Sequence, residues 1–160
     1  MSAGEKRRVV IPVDGSQHSE RAFNWYRQHV HEPGDEVLII HTQEQPTIPS
    51  SPYAYGGTVL PDEWNKAVDE CIVNAKKLIE EYNKKCKEQG MTCRLFKGSG
   101  QPGETICQLA KDLSAKHVVM GSRGCGTIRR TLLGSVSDYC VHHSSVPVTV
   151  IPPTKKRQEK

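Results

Sequence analysis

Two hydrophobic periods alternate along this chain. Arg8 to Val13 is a continuous β-branched run that stops at Asp14-Gly15-Ser16, after which Ala22, Phe23, Tyr26 and Val30 return at helical spacing. That predicts strand, loop, helix. Pro33-Gly34-Asp35 marks a turn, and Val37 to His41 reads as a second buried strand. Gln45 to Leu60 carries Pro46, Pro49, Pro52, Gly56 and Gly57, which resist regular structure; a loop of this length often serves a function. Asp62 then reads as the N-cap of a long helix, with Trp64, Ala67, Val68, Cys71, Ile72, Ala75, Leu78, Ile79 and Tyr82 on its apolar face and its end at or just before Gly90. Thr92 to Lys97 alternates as a third strand, and Pro102 opens a helix containing Ile106, Leu109, Ala110 and Leu113. His117 to Met120 forms a fourth strand, Gly121 to Arg130 a glycine-rich loop, and the stretch around Gly134 to His142 a last helix. Val146, Val148 and Val150 alternate in a fifth strand, where Pro147 withdraws a ladder donor and favours an edge position.

Strands separated by helices pair in parallel through right-handed crossovers, with helices on both faces. The fold expected is an open, doubly wound α/β sheet. Ligands of such sheets bind beyond the carboxyl ends of the strands, where the strand order reverses, so the loops after strands one and four become the informative ones.

At 160 residues the chain has room for one core, and a single domain over residues 1–160 is expected. The net charge of +4 divides as +2 in residues 5–8 and +3 in residues 155–160, which leaves −1 for residues 9–154. Basic ends on a neutral body argue against a phosphate-tracking stripe, so no nucleic-acid partner is expected. The longest apolar runs, Val9 to Val13, Val37 to Ile40 and Val146 to Ile151, fall far short of the ~20 residues that cross a bilayer. With no n-region and apolar segment at Met1 to Arg8, a cytoplasmic protein is expected. The six cysteines form no C-x-x-C pair and no zinc spacing, so free thiols and no structural metal are expected.

After strand four the chain reads Gly121-Ser122-Arg123-Gly124-Cys125-Gly126-Thr127, then Gly134-Ser135-Val136-Ser137 at the start of the last helix. Glycines 121, 124 and 126 allow a ligand to approach the main chain, while the free N–H groups of the helix and the Ser135 and Ser137 hydroxyls suit phosphate oxygens. A tight loop with a serine cap satisfies the same composition. Gly121-x4-Gly126-Thr127 lacks the lysine of a P-loop. Gly98-Ser99-Gly100-Gln101-Pro102-Gly103 satisfies G-x-G-x-x-G, but it follows the third strand rather than the first of a βαβ unit, which argues against a dinucleotide fingerprint.

Gly121-x2-Gly124-x9-Gly134-Ser135 matches G-x2-G-x9-G-[ST], and in this the chain resembles the ATP-binding subgroup of the universal stress protein family. The resemblance extends to Val10 through Ser16, Ile39-Ile40-His41, Gly100-Gln101-Pro102 and Ser145 through Val148, about residues 7 to 152, with polar tails at 1–6 and 153–160. It implies a five-stranded parallel sheet of order 3-2-1-4-5, the adenine nucleotide alpha hydrolase-like fold, and a homodimer through the strand at 146–151. Carried over by position, Asp14 resembles the acid that bonds the ribose, with Pro12 and Val13 beside the adenosine; capping of the first helix is the other role open to Asp14. Thr42 stands where the family often has an aliphatic residue against adenine. Met120, Gly121 and Gly124 resemble positions near the sugar and α-phosphate, and Gly134, Ser135, Val136 and Ser137 the β- and γ-phosphate cradle. Arg123, Arg129 and Arg130 add positive charge nearby.

What this implies is an ATP-binding stress-response module, with or without magnesium and with at most slow hydrolysis. The loop offers binding groups but no evident base for phosphoryl transfer. An ATP-dependent phosphotransferring or hydrolytic enzyme and a nucleotide-independent dimeric scaffold are the alternatives. His117, His142 and His143 read as structural or solvent-facing, His41 as a strand end near the adenine side. Cys125, among amides and near Arg123, is a candidate redox site without an evident resolving partner, and Ser16 has no triad around it.

Overall fold

A computed structural model describes residues 6–43, 61–123 and 133–154. Nine elements follow in order: β1 (Arg8–Pro12), α1 (Gln17–His29), β2 (Glu36–Gln43), α2 (Pro61–Glu88), β3 (Thr92–Ser99), α3 (Pro102–Asp112), β4 (His117–Gly121), α4 (Ser135–His143) and β5 (Val148–Ile151). The strands form one parallel sheet of order β3-β2-β1-β4-β5. The order reverses at β1, between β2 and β4.

The alternation of side chains across the central strands sorts them into two cores. Val9, Ile11, Val37, Ile39 and Val119 face Phe23 and Tyr26 of α1 and Tyr82 and Cys86 of α2. Val10, Leu38, Ile40, Val118 and Met120 face Ile106 and Ala110 of α3 and Cys140 of α4. Burial on both faces is why β1, β2 and β4 read as unbroken apolar runs, whereas the edge strand β3 alternates.

Two expectations need correcting. Helix α2 starts at Pro61, so Asp62 sits in its first turn and acts on the helix dipole rather than as its cap. Ile72, assigned to the apolar face, is 49% exposed, because the amino-terminal half of α2 lies less deeply on the sheet than the half bearing Ala75, Tyr82 and Cys86. β5 lies at the sheet edge, as Pro147 suggested; the proline directly precedes the strand, and its carbonyl accepts from Val118 N–H at 2.9 Å.

At the amino ends of the strands a buried polar cluster closes the sheet. The Asp35 carboxylate accepts from Arg7 Nε at 2.8 Å and Nη2 at 2.6 Å, from the Tyr26 hydroxyl at 2.7 Å and from Glu32 N–H at 3.0 Å. Arg7 also donates to Val30 O at 2.8 Å, tying the end of α1 to the start of β1. Burial pushes the Asp35 carboxyl up, but these donors outweigh it and hold the group at about 2.

Candidate functional site

At the opposite, carboxyl ends of β1, β2 and β4 the sheet opens into a cleft of about 310 Å³. β1 contributes Pro12 and the following Val13 and Asp14; β2 contributes His41 and Thr42; β4 contributes Met120 and Gly121, followed by Arg123. The first turn of α4 supplies Ser135, Val136 and Ser137. The cleft therefore sits at the reversal of strand order, where neighbouring strands send their connections to opposite faces.

The chain leaves β1 under tight control. Val13 N–H donates to Ile40 O at 2.8 Å, and its carbonyl lies 2.8 Å from His41 Nδ1. A carbonyl can only accept, so Nδ1 carries the hydrogen and the ring is fixed in that tautomer. Asp14 Oδ1 then accepts from Ser16 N–H at 2.9 Å, folding residues 14–16 into an Asx turn. The cap of α1 is Ser16, whose Oγ accepts from Ser19 N–H at 3.2 Å. Of the two roles left open for Asp14, helix capping thus falls to another residue, and Asp14 itself is exposed at the cleft.

Gly121 serves a purpose the sequence does not reveal. A Cβ there would stand 2.7 Å from the His18 carbonyl oxygen, so the missing side chain admits the backbone of α1 against the end of β4. The close approach brings the Asp14–Ser16 turn and the residues after β4 to the same cleft.

On the far side the Ser122 carbonyl accepts from Gly134 N–H at 2.6 Å and from Ser137 Oγ at 2.9 Å; that hydroxyl also lies 3.0 Å from Gly134 O. Gly134 is the N-cap of α4, and its own N–H is engaged. Ser137 is buried and its proton is committed to carbonyls, so it braces the cradle from within, whereas the Ser135 side chain is exposed. What α4 turns outward is its first-turn N–H groups, which have no intrahelical acceptor, together with the positive end of the helix dipole. Replacing Ser137 with alanine removes both bonds and is expected to cost about 1 kcal/mol of stability and weaken anion binding at the cleft; urea denaturation and calorimetric titration with ATP read the two effects.

Ser19, Pro102 and Ile106 also line the cleft. Ile106 is indistinguishable in sequence from the other core positions of α3, and Ser19 carries no local signal. His117 is at the other end of β4, with Nε2 2.7 Å from Thr149 Oγ1. His142 and His143 are exposed in the last turn of α4, bonded to the carbonyls of Asp138 and Tyr139. The G-x-G-x-x-G segment spends two of its glycines on packing: a Cβ at Gly98 would meet Thr105 at 2.3 Å and one at Gly103 would meet Tyr139 at 2.7 Å. Gly124, Cys125, Gly126, Thr127, Arg129 and Arg130 and the proline-rich segment 45–60 lie outside the described residues. Among the described residues no three His, Cys, Asp or Glu side chains converge on a metal position, and no helix is long and apolar enough to cross a membrane.

A parallel sheet of this order, with its cleft at the reversal and an open helix N-terminus facing it, defines the adenine nucleotide alpha hydrolase-like class of α/β fold. A model of the universal stress protein family matches residues 6–152. The chain belongs to that family. It is 30% identical to the universal stress protein PHOS34 of Arabidopsis thaliana, covering 94% of this chain and 63% of that protein, so it spans less than two thirds of that relative. A crystal structure of a universal stress protein in complex with cAMP matches with a TM-score of 0.62 and 28% identity over 91% of this chain and 96% of that one. A universal stress protein family protein from Arabidopsis thaliana with AMP bound matches with a TM-score of 0.65 and 24% identity over 91% and 90% of the two chains.

Proposed function

We propose that the cleft binds an adenine nucleotide, with ATP as the full-length occupant, and that occupancy sets the signalling state of a stress-response module. The observation that carries this reading is the meeting in one cleft of the Asp14 carboxylate, from the end of β1, with the outward N–H groups of α4. A carboxylate accepts from vicinal ribose hydroxyls, and helix N–H groups donate to phosphate oxygens. Pro12, Val13 and Thr42 supply the walls for the adenosine; Met120, Gly121 and Arg123 flank the sugar and α-phosphate; Gly134, Ser135, Val136 and Ser137 form and brace the cradle for the outer phosphates. The AMP and cAMP complexes of family members support the adenosine end of this assignment.

A magnesium ion accompanying the phosphates, a homodimer through the edge strand β5, a single domain with its core at about residues 7–152, and a cytoplasmic setting complete the proposal. A switch requires that ATP bind the two signalling states with different affinity. Hydrolysis is at most slow, because among the described residues the cleft presents hydrogen-bond donors and one carboxylate rather than a base poised on water.

Denaturing freshly purified protein and identifying the released nucleotide by mass tests the assignment, with calorimetric titration of the stripped protein by ATP and AMP. Asp14→Asn is expected to weaken both nucleotides about tenfold through the lost ribose contact, while the thermal midpoint stays near that of wild type. Wild-type protein that neither carries nor takes up an adenine nucleotide would exclude the reading.

A further inference from the structure

On the sheet face behind the cleft, α3 and α4 pack against each other at a glycine. Gly103 has no Cβ to collide with Tyr139, and the Cys140 thiol next to Tyr139 points at the Gly103 carbonyl, 3.8 Å away. One turn along α3, on the same side of the helix, comes Cys107. Cys140 belongs to the apolar cluster at this interface and Cys107 packs against it, near enough for each to shift the other's pKa. They are unequal: Cys140 is fully buried, whereas Cys107 is half-buried. Both helices that carry them also wall the cleft, α3 through Pro102 and Ile106 and α4 through Ser135 to Ser137.

We propose that Cys107 and Cys140 form an oxidisable thiol pair, closed by a hydroperoxide into a disulfide that fastens α3 to α4 along one wall of the cleft. The Cys107 sulfur attacks one peroxide oxygen; the O–O bond breaks, Cys107 becomes a sulfenic acid, and the other oxygen leaves as water with the thiol proton. The Cys140 sulfur then attacks the sulfenic sulfur, the S–O bond breaks, and a second water leaves with the Cys140 proton. Two thiols and one hydrogen peroxide give one disulfide and two waters. Cys107 is the attacking group because it is the more exposed of the two; burial raises its pKa and so slows the attack. Burial, the charge of Cys107 and the bond to it hold Cys140 at about 12, the state of a resolving thiol that stays protonated until its partner has been oxidised. The pair therefore answers sustained peroxide rather than ambient oxygen. Cys86 and Cys93 also interact, between α2 and β3 on the opposite sheet face, and they provide an internal comparison away from the α3–α4 wall.

The chemical step is independent of what the cleft holds; only its effect on affinity rests on the nucleotide reading. Full-length protein is incubated with hydrogen peroxide, the remaining thiols are alkylated, and non-reducing peptide mapping locates the cross-link. The expected product is a Cys107–Cys140 peptide 2 Da lighter than the sum of its parts, restored by dithiothreitol. Cys140→Ser is expected to arrest Cys107 as a sulfenic acid trapped by dimedone, and Cys107→Ala, at the half-buried position, to leave Cys140 reduced in a folded protein. Calorimetric titration of the reduced and oxidised forms with ATP is expected to give dissociation constants that differ at least threefold, a difference absent in Cys107→Ala. Alkylation of both thiols after peroxide, or a cross-link confined to Cys86 and Cys93, would overturn the pair. Equal affinities in the two redox states would overturn its coupling to the cleft, and failure of the reduced protein to bind ATP would refute the nucleotide reading while leaving the cross-link to be judged by its peptide map.

Discussion

Gly121→Val is expected to abolish measurable nucleotide binding while leaving the sheet assembled. The added Cβ would meet the His18 carbonyl oxygen at 2.7 Å and the carbonyl carbon at 2.8 Å, and neither is the free end of a side chain that can swing aside. The strain is relieved only by moving α1 off β4, at a cost of about 1–3 kcal/mol. That movement carries the Asp14–Ser16 turn away from Gly121 and α4. Gly121→Ala introduces the same Cβ, so its effect should have the same sign and be smaller only to the extent that the alanine lacks the valine methyls. Calorimetric titration with ATP, beside far-ultraviolet circular dichroism, decides the matter. Affinity within twofold of wild type would mean that the approach of α1 to β4 does not set the cleft.

Asp35→Ala should give the largest loss of stability, about 3 kcal/mol, because it strands the Arg7 guanidinium and the buried Tyr26 hydroxyl without their common acceptor. The same cluster sets an acid limb. Its carboxyl titrates at about 2 when folded, below its ordinary 3.8, so the folded state binds the proton less readily than the unfolded one. The stabilisation is therefore complete above about pH 4, and about 2 kcal/mol of it is lost as the pH falls through 4 towards 2. In Asp35→Asn this limb should flatten, since the amide does not titrate. Asp35 precedes β2 at the end of the sheet away from the cleft, so nucleotide affinity should survive in whatever fraction remains folded. Urea titrations between pH 2 and 6 provide the comparison. An unchanged acid limb in Asp35→Asn would locate the acid sensitivity elsewhere.

These two residues mark the boundary of what could be read in the chain. The fold was legible because the signals for it are local: β-branched runs buried on both faces, helical spacing between them, and Pro or Gly at the joints. The place of the cleft was legible because the glycine spacing and Asp14 both follow strands that end at the reversal of order. Asp35, in contrast, reads as one residue of a Pro-Gly-Asp turn, and nothing near it announces Arg7, 28 residues earlier, as its partner. Gly121 reads as room for a ligand, whereas the body it admits is the backbone of α1. The Ser137 hydroxyl reads as a phosphate donor, whereas its proton is held by the carbonyls of Ser122 and Gly134. Each misreading concerns which of two chemically suitable neighbours a group meets, and the neighbours come from distant parts of the chain.

By itself the sequence determined the alternation of strands and helices, the parallel sheet that such alternation forces, and the end of the sheet where a ligand can enter. Periodicity and turn chemistry act over a few residues, and the handedness of the crossover is set by the backbone. Only the tertiary structure decided how the helices approach the sheet, which carbonyls take the available protons, and which cysteines share one apolar cluster. Those outcomes depend on ångström-scale packing between elements far apart in the chain, and no local pattern encodes a distance between two helices.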